Sequence, residues 1–110
     1  MHKNGVCHRD LKPENILLQA PEGFTRGATD PMKLTLKICD LGAAKVLDLS
    51  AKRMNTPYVV SRYYRSPELI MGSHLYNHSI DVWASGCILF ELLTRTPMFP
   101  GDAEGLQVLE

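Results

Sequence analysis

The chain contains the stretch His8-Arg9-Asp10-Leu11-Lys12-Pro13-Glu14-Asn15, followed at once by the apolar run Ile16-Leu17-Leu18. This stretch combines polar groups that suit the transfer of a phosphate. The carboxylate of Asp10 can accept the proton of an attacking hydroxyl, the ammonium of Lys12 can neutralise charge on a phosphoryl group, and the amide oxygen of Asn15 can bind Mg²⁺. Pro13 restricts the turn that carries them. The apolar run predicts a buried strand directly after this loop.

The same eight residues resemble the catalytic loop of eukaryotic protein kinases, whose signature is H-R-D-L-x-x-x-N. The resemblance implies that Asp10 is the catalytic base and that Lys12 contacts the γ-phosphate of ATP. It also implies that Asn15 binds Mg²⁺, that Leu17 lies beneath the adenine and that His8 has a structural role. Lys12 is typical of the serine/threonine branch of the family. The implied reaction therefore transfers the γ-phosphoryl group of ATP to a serine or threonine of a protein substrate.

The composition is that of an ordinary folded domain. Its 110 residues are 45% hydrophobic, and 12 basic and 12 acidic side chains are interspersed rather than blocked. That balance suggests no nucleic-acid and no membrane partner. The first residues lack the apolar core of a signal peptide, and the longest apolar stretch, near 87–93, is too short to span a bilayer. The three widely separated cysteines predict reduced, buried thiols in an intracellular protein of the cytoplasm, the nucleus or both.

The length conflicts with that of a whole protein kinase, which has two lobes and is considerably longer. Before His8 there is no glycine-rich phosphate loop, no strand lysine and no helix glutamate. We therefore predict an α+β, mainly helical fragment of the C-terminal lobe over 1–110, without the N-terminal lobe, and expect the isolated chain to be inactive. The alternative is a short, non-catalytic, kinase-like binding module. The sequence leaves the oligomeric state open.

Two strands are predicted around a long loop. Residues 15–18 consist of Asn15 and the apolar run 16–18, and residues 34–38 alternate apolar and polar side chains as a half-buried strand does. Between them, 19–33 is rich in turn formers and has neither a helical nor a strand period. We expect a hairpin with this segment as a loop insertion at its tip. A solvated insertion without function is favoured over a regulatory or docking role.

The triplet Asp40-Leu41-Gly42 follows the second predicted strand. It resembles the D-F-G motif, whose aspartate holds Mg²⁺ on the phosphates of ATP. Leu41 replaces the usual phenylalanine, and we expect this apolar side chain to pack beneath the site in a structural role. The resemblance therefore implies that Asn15 and Asp40 together form the metal site.

Residues 40–68 resemble an activation segment of the CMGC group of kinases, which includes the cyclin-dependent, mitogen-activated and glycogen synthase kinases. Ser66-Pro67-Glu68 stands where the family has A-P-E, with Glu68 in a structural role. The resemblance implies that Tyr58 and Thr56 are sites of activating phosphorylation and that Arg62 pairs with the phosphate. It also implies that Ser61 hydrogen-bonds the catalytic groups. A guanidinium suits a phosphate because it binds it in a bidentate fork. For Tyr63 and Tyr64, packing is the favoured interpretation.

Two features place the chain differently within this group. Lys45 resembles the glycogen synthase kinase 3, or shaggy, subfamily, in which a lysine here joins the catalytic-loop arginine, Arg9, to bind a priming phosphate on the substrate. The stretch 99–102, with Gln107 and Glu110, also resembles that subfamily. The triplet at 56–58 instead has the T-P-Y form of Jun N-terminal kinases. The shaggy resemblance is favoured, and primed or proline-directed substrates are expected.

A helix is predicted over 79–95, with Ser79 as its N-cap. Its apolar residues lie almost all round, which predicts a helix buried on every side. In the kinase resemblance this is the central helix of the C-terminal lobe, and Asp81 reaches back to backbone amides of the catalytic loop. Without neighbours on every side, faces that carry Trp83 or Phe90 would be exposed.

Overall fold

The structure, a computed structural model, describes residues 1–47 and 62–101. Within these ranges the chain forms four strands and two α-helices, so the α+β class is as predicted. The strands are β1 (Val6–Cys7), β2 (Ile16–Gln19), β3 (Thr35–Ile38) and β4 (Lys45–Val46), and the helices are α1 (Pro67–Ile70) and α2 (Ser79–Thr94). Short 3-10 turns cover His2–Asn4, Pro13–Asn15, Pro31–Lys33 and Arg62–Tyr64.

Strands β2 and β3 form the predicted antiparallel hairpin, with Ile16 opposite Ile38 and Gln19 opposite Thr35. The predicted loop lies at its tip, over 20–34. The expected burial of the two strands is wrong, because Leu18, Leu36 and Ile38 are exposed. Backbone hydrogen bonds hold the pair together, and alternating apolar side chains are buried only where another layer packs on the sheet. In the described ranges, Ile16 alone of β2 packs against a core cluster.

The second pair joins the two ends of the 6–46 segment. Strands β1 and β4 are antiparallel, with Val6 opposite Val46 and Cys7 opposite Lys45. Gly5 precedes β1 with φ 73°, a left-handed conformation that glycine adopts at little cost. The pairing therefore brings the residues after Asp40 back to the start of the loop at 8–15.

The core is built on one stripe of α2. Ile80 packs in one cluster with Cys7, Leu47, Leu69 and Tyr76. One and two turns further along the helix, Ala84 and Ile88 pack with Leu11, and Ile16 and Tyr64 cover that second cluster. Because residues four apart share a helix face, this stripe places the loop at 8–15 directly on α2.

The prediction that α2 is buried on all sides is wrong for the described residues. Val82, Leu89, Leu92 and Leu93 are exposed, Leu93 by 77%. Trp83 and Phe90 are also exposed, as expected for a helix that lacks neighbours on one side. An apolar helix buries only the faces against which other elements pack, and the described elements lie along the 80–84–88 stripe.

The start of α2 also differs from the prediction. Its first N–H, that of Ser79, donates to Oδ1 of Asn77 at 2.8 Å, so Asn77 rather than Ser79 satisfies an unpaired amide of the first turn. The helix ends at Thr94, and Arg95 follows in the left-handed conformation with φ 66°. Among the described residues, no helix has both the length and the apolar character needed to cross a membrane.

All three cysteines are unpaired thiols, as predicted. Cys7 and Cys87 are buried, whereas Cys39 is only partly buried.

Candidate active site

Asp81 anchors the loop that carries the candidate catalytic residues. Its carboxylate accepts hydrogen bonds from the backbone N–H of His8, at 2.8 Å to Oδ2, and of Arg9, at 2.9 Å to Oδ1. Asp81 is only 3% exposed. Burial alone raises its pKa, but the hydrogen bonds from His2 and from the amides of His8 and Arg9 outweigh this effect and lower the pKa below its usual value. At neutral pH the carboxylate is therefore ionised when it accepts the two amide hydrogen bonds.

His8 connects the loop to the segment that carries Asp40. Its Nδ1 accepts from the backbone N–H of Asp10 at 3.2 Å, and its Nε2 lies 2.9 Å from the carbonyl oxygen of Cys39. A ring that carries its hydrogen on Nε2 satisfies both contacts. The side chain is only 1% exposed. His8 thus connects the backbone of Asp10 to Cys39, the residue before Asp40.

Two polar residues of the loop, Lys12 and Asn15, converge on Asp10. Nζ of Lys12 lies 3.4 Å from Oδ2 of Asp10. The amide nitrogen of Asn15 donates to the backbone oxygen of Asp10 at 2.9 Å and lies 3.4 Å from Oδ2. The 3-10 turn that starts at Pro13 brings Asn15 back to this position. Asp10 and Asn15 are buried and Lys12 is partly buried, so the geometry of the cluster is fixed.

The hairpin brings the segment with Asp40 alongside Asn15. The backbone N–H of Cys39 donates to the backbone oxygen of Asn15 at 2.9 Å, which extends the β2–β3 ladder by one bond. Asp40 follows with φ 59°, a left-handed conformation that aspartate tolerates better than most residues. Its Oδ1 accepts from the N–H of Gly42 at 3.2 Å. A Cβ at position 42 would lie 3.1 Å from that oxygen, so glycine leaves room for the carboxylate.

The donor set at this position fits Mg²⁺. Because the amide nitrogen of Asn15 donates to Asp10, the amide oxygen is the atom that is left to bind a cation. Asp40 adds an exposed carboxylate, whose Oδ2 remains beside the bond to Gly42. Carboxylate and amide oxygens are the ligands that Mg²⁺ prefers.

Arg9 is held between two segments. It has φ 68°, its Nε donates to the carbonyl oxygen of Ala43 at 2.6 Å, and its Nη1 donates to the hydroxyl of Tyr76 at 3.1 Å. Lys45, two residues beyond Ala43, is exposed in β4 opposite Cys7. The guanidinium of Arg9 is therefore fixed to the segment that carries Lys45.

The other predicted site residues are less enclosed. Leu41 is 61% exposed, so the expectation that it packs beneath the site is wrong, because no described element covers it. Leu17 is also exposed in β2. Arg62 is exposed at the start of its 3-10 turn, and Glu68 is partly buried in α1. Thr56, Tyr58 and Ser61 lie outside the described residues.

Sequence reasoning missed two contacts that hold the site. Tyr76 hydrogen-bonds Arg9, and the hydroxyl of Tyr64 donates to Oε2 of Glu91 at 2.6 Å. Burial and the bond to Glu91 raise the pKa of Tyr64. Tyr64 packs against the second core cluster, as the packing interpretation predicted. These partners are far apart in the chain, and the only signal in the sequence was an aromatic residue within a polar stretch.

Comparison with known proteins agrees with this geometry. The family profile described as Protein kinase domain matches residues 1–109. The chain belongs to the protein kinase family. It is 44% identical over 110 residues to Protein kinase gsk3 of Schizosaccharomyces pombe and to Glycogen synthase kinase 1 of Pyricularia oryzae. It is 45% identical over 109 residues to Serine/threonine-protein kinase RIM11/MSD1 of Saccharomyces cerevisiae.

These relatives confirm the predicted resemblance to glycogen synthase kinases within the CMGC group. The alignments cover 99% to 100% of this chain but only 25% to 26% of each relative. The chain therefore spans about a quarter of the length of the curated relatives it matches.

The Asp81 anchor predicts a pH-dependent loss of stability. Asp81→Asn should lower the free energy of unfolding by about 1–3 kcal/mol at neutral pH, because the buried N–H of His8 loses its charged acceptor. A carboxylate with a lowered pKa stabilises the fold above its unfolded pKa, and this contribution is lost as the pH falls through the folded pKa. The difference in urea unfolding between the two proteins should therefore begin to shrink near about pH 4 and should close only once the pH is below the folded pKa of Asp81.

Asp40→Asn is the matched control for this measurement. Asp40 is exposed, and asparagine also tolerates the left-handed conformation, so the change should stay within about 0.5 kcal/mol. Equal losses in the two variants at neutral pH would contradict the anchor.

Proposed function

We propose that this chain provides the catalytic loop and metal-binding residues of the C-terminal lobe of a serine/threonine protein kinase. The proposed reaction transfers the γ-phosphoryl group of ATP to a serine or threonine of a protein. The observation that carries the proposal is the convergence of Lys12 and Asn15 on Asp10 in a buried, anchored loop. One of the relatives is described as a serine/threonine-protein kinase, which supports this reaction class.

Asp10 is the proposed catalytic base. Its carboxylate would accept a hydrogen bond from the substrate hydroxyl and take its proton as the oxygen bonds to the γ-phosphorus. The bond from that phosphorus to the bridging oxygen then breaks, and ADP leaves with the electron pair. Lys12, already 3.4 Å from Oδ2 of Asp10, would stabilise the negative charge on the transferred group. Leu17 is exposed in β2 and available to contact the adenine.

Asn15 and Asp40 are the residues that would hold Mg²⁺. When bound, the cation neutralises charge on the ATP phosphates. This chain contributes the positioning: the Cys39–Asn15 backbone bond fixes the spacing of the two segments, and the bond from Gly42 orients the carboxylate of Asp40. Such preorganised placement supplies much of the catalysis of phosphoryl transfer.

A preference for primed substrates is the proposed specificity. Arg9 is fixed by Ala43 and Tyr76, and Lys45 lies exposed two residues after Ala43, so two cations border the same strand pair. A phosphate already present on the substrate would meet both. The similarity to Protein kinase gsk3 and Glycogen synthase kinase 1 favours the glycogen synthase kinase subfamily over the Jun N-terminal kinases, and the resemblance of Lys45 to that subfamily implies a primed substrate.

A chimera tests the reaction. In Protein kinase gsk3 of Schizosaccharomyces pombe, the segment aligned with this chain is replaced by residues 1–110, and transfer of labelled phosphate from ATP to peptides is measured. We expect the chimera to be active, and Asp10→Asn to lower kcat by about 10²- to 10⁴-fold without a change in Tm, because the general base is lost.

Asp30→Asn is the control for that chimera. Asp30 accepts from the N–H of Met32 in the exposed loop, and asparagine keeps that acceptor, so full activity is expected. A folded chimera without activity, or an Asp10→Asn variant as fast as its parent, would contradict the proposed function.

Lys45→Ala in the same chimera tests the specificity. The value of kcat/KM for a peptide with a priming phosphoserine should fall about 10- to 100-fold, as expected for the loss of one charge-assisted contact of about 1.5–3 kcal/mol. The unphosphorylated peptide should react at an unchanged rate. Lys33→Ala, in the loop at 20–34, should leave both rates unchanged. Equal losses on both peptides in Lys45→Ala would exclude the priming role.

A further inference from the structure

Three potential metal ligands meet behind the catalytic loop. They are Nε2 of His2, Sγ of Cys7 and a carboxylate oxygen of Asp81, and all lie within 4.8 Å of one another. Nε2 of His2 is 2.7 Å from Oδ2 of Asp81, and the thiol of Cys7 is 3.3 Å from the same oxygen. His2 and Cys7 have no part in the proposed phosphoryl transfer.

We infer that His2, Cys7 and Asp81 form a binding site for a thiophilic divalent cation, with Zn²⁺ as its best-suited occupant. Zinc takes sulfur, imidazole nitrogen and carboxylate oxygen together, whereas Mg²⁺ prefers oxygen alone. The site is thus chemically distinct from the pair Asn15 and Asp40. Tetrahedral ligands at 2.0–2.3 Å from zinc stand roughly 3.3–3.8 Å apart, within the spread of this cluster.

The three ligands differ in burial, so within the described residues the site is accessible to solvent on the side of His2 only. Cys7 and Asp81 are buried, and the side chain of His2 is 40% exposed. A cation could therefore enter on the His2 side without opening the core. A second imidazole borders this entrance: the ring of His78 lies 4.9 Å from that of His2, and its buried Nε2 has no hydrogen-bond partner among the described residues. A buried ring nitrogen without a partner is uncommon.

Binding would replace a proton rather than leave a bare charge. Burial, and then the charge of Asp81 and the hydrogen bond to it, raise the pKa of the Cys7 thiol to about 12, so the free protein keeps its S–H. On binding, the S–H proton leaves to solvent and a metal–sulfur bond forms. His2 binds as the neutral tautomer with its hydrogen on Nδ1, so Nε2 gives up the hydrogen that it donates to Asp81 in the free protein and offers its lone pair to the cation. The thiolate and the carboxylate together balance the two positive charges of the cation.

Occupancy of this site would act on the catalytic loop through Asp81. Oδ2 also accepts the N–H of His8, so a cation on that oxygen competes with one of the two bonds that hold the loop. The consequence, which rests on the proposed function, is slower phosphoryl transfer when the cation is bound. Binding itself depends only on the three ligands and can be tested without any enzymatic assay.

The test is a titration of the purified 110-residue chain with Co²⁺, free of oxygen and with a reductant that contains no thiol. We expect one Co²⁺ per chain, a near-ultraviolet sulfur-to-cobalt charge-transfer band, visible bands of tetrahedral intensity, and loss of all of them when Zn²⁺ is added. Cys7→Ser should abolish the charge-transfer band. Cys87→Ser, which removes the other buried thiol, should keep it.

His2→Ala provides a second test if the Cys7 variant fails to fold, because the exposed His2 side chain can be truncated without opening a cavity. This variant should keep the far-ultraviolet circular dichroism of the parent and bind Co²⁺ at least tenfold more weakly. The inference would be overturned by the absence of a charge-transfer band in the parent, by its persistence in Cys7→Ser, by its loss in Cys87→Ser, or by unchanged affinity in His2→Ala.

Discussion

The described structure depends on one buried carboxylate. Asp81, in the first turn of α2, accepts the backbone N–H groups of His8 and Arg9, which lie more than seventy positions earlier in the chain. Arg9 is in a left-handed conformation that costs a residue other than glycine about 1–3 kcal/mol and that persists only where the surroundings hold it. The two bonds to Asp81, together with those of the Arg9 side chain to Ala43 and Tyr76, fix that conformation. The direction in which Asp10 leaves the loop follows from them.

From this anchor the site is built by short-range contacts. His8 connects the backbone of Asp10 to the carbonyl of Cys39, and the β2–β3 ladder connects Asn15 to the same residue. Two connections at Cys39 fix the position of Asp40 relative to the loop. The two candidate cation sites differ in the type of ligand. Asn15 and Asp40 offer oxygen alone, whereas His2 and Cys7 add nitrogen and sulfur to the carboxylate of Asp81.

Features with a local signal could be predicted from the sequence. The hairpin around 20–34 and the bounds of α2 agree with prediction to within about one residue, because strand alternation and a long apolar segment are local patterns. The contact of Asp81 with the loop followed only from the family resemblance. The bond of Tyr64 to Glu91 and the contact of His2 with Asp81 join distant residues. They were predicted neither from local sequence patterns nor from the family resemblance. The exposure of Leu93 was missed because the sequence of a helix that is apolar almost all round does not show which of its faces have neighbours.

Amide hydrogen exchange tests the central role of Asp81 most directly. Measured residue by residue by NMR at neutral pH, the N–H groups of His8 and Arg9 should exchange slowly in the parent chain and at least tenfold faster in Asp81→Asn. The N–H groups paired between Leu17 and Lys37 in the β2–β3 ladder should exchange at equal rates in both proteins, since the hydrogen bonds of the Asp81 carboxylate go to residues outside this hairpin. Equal exchange rates of His8 and Arg9 in the two proteins would show that the loop is held by other contacts, and would contradict this account.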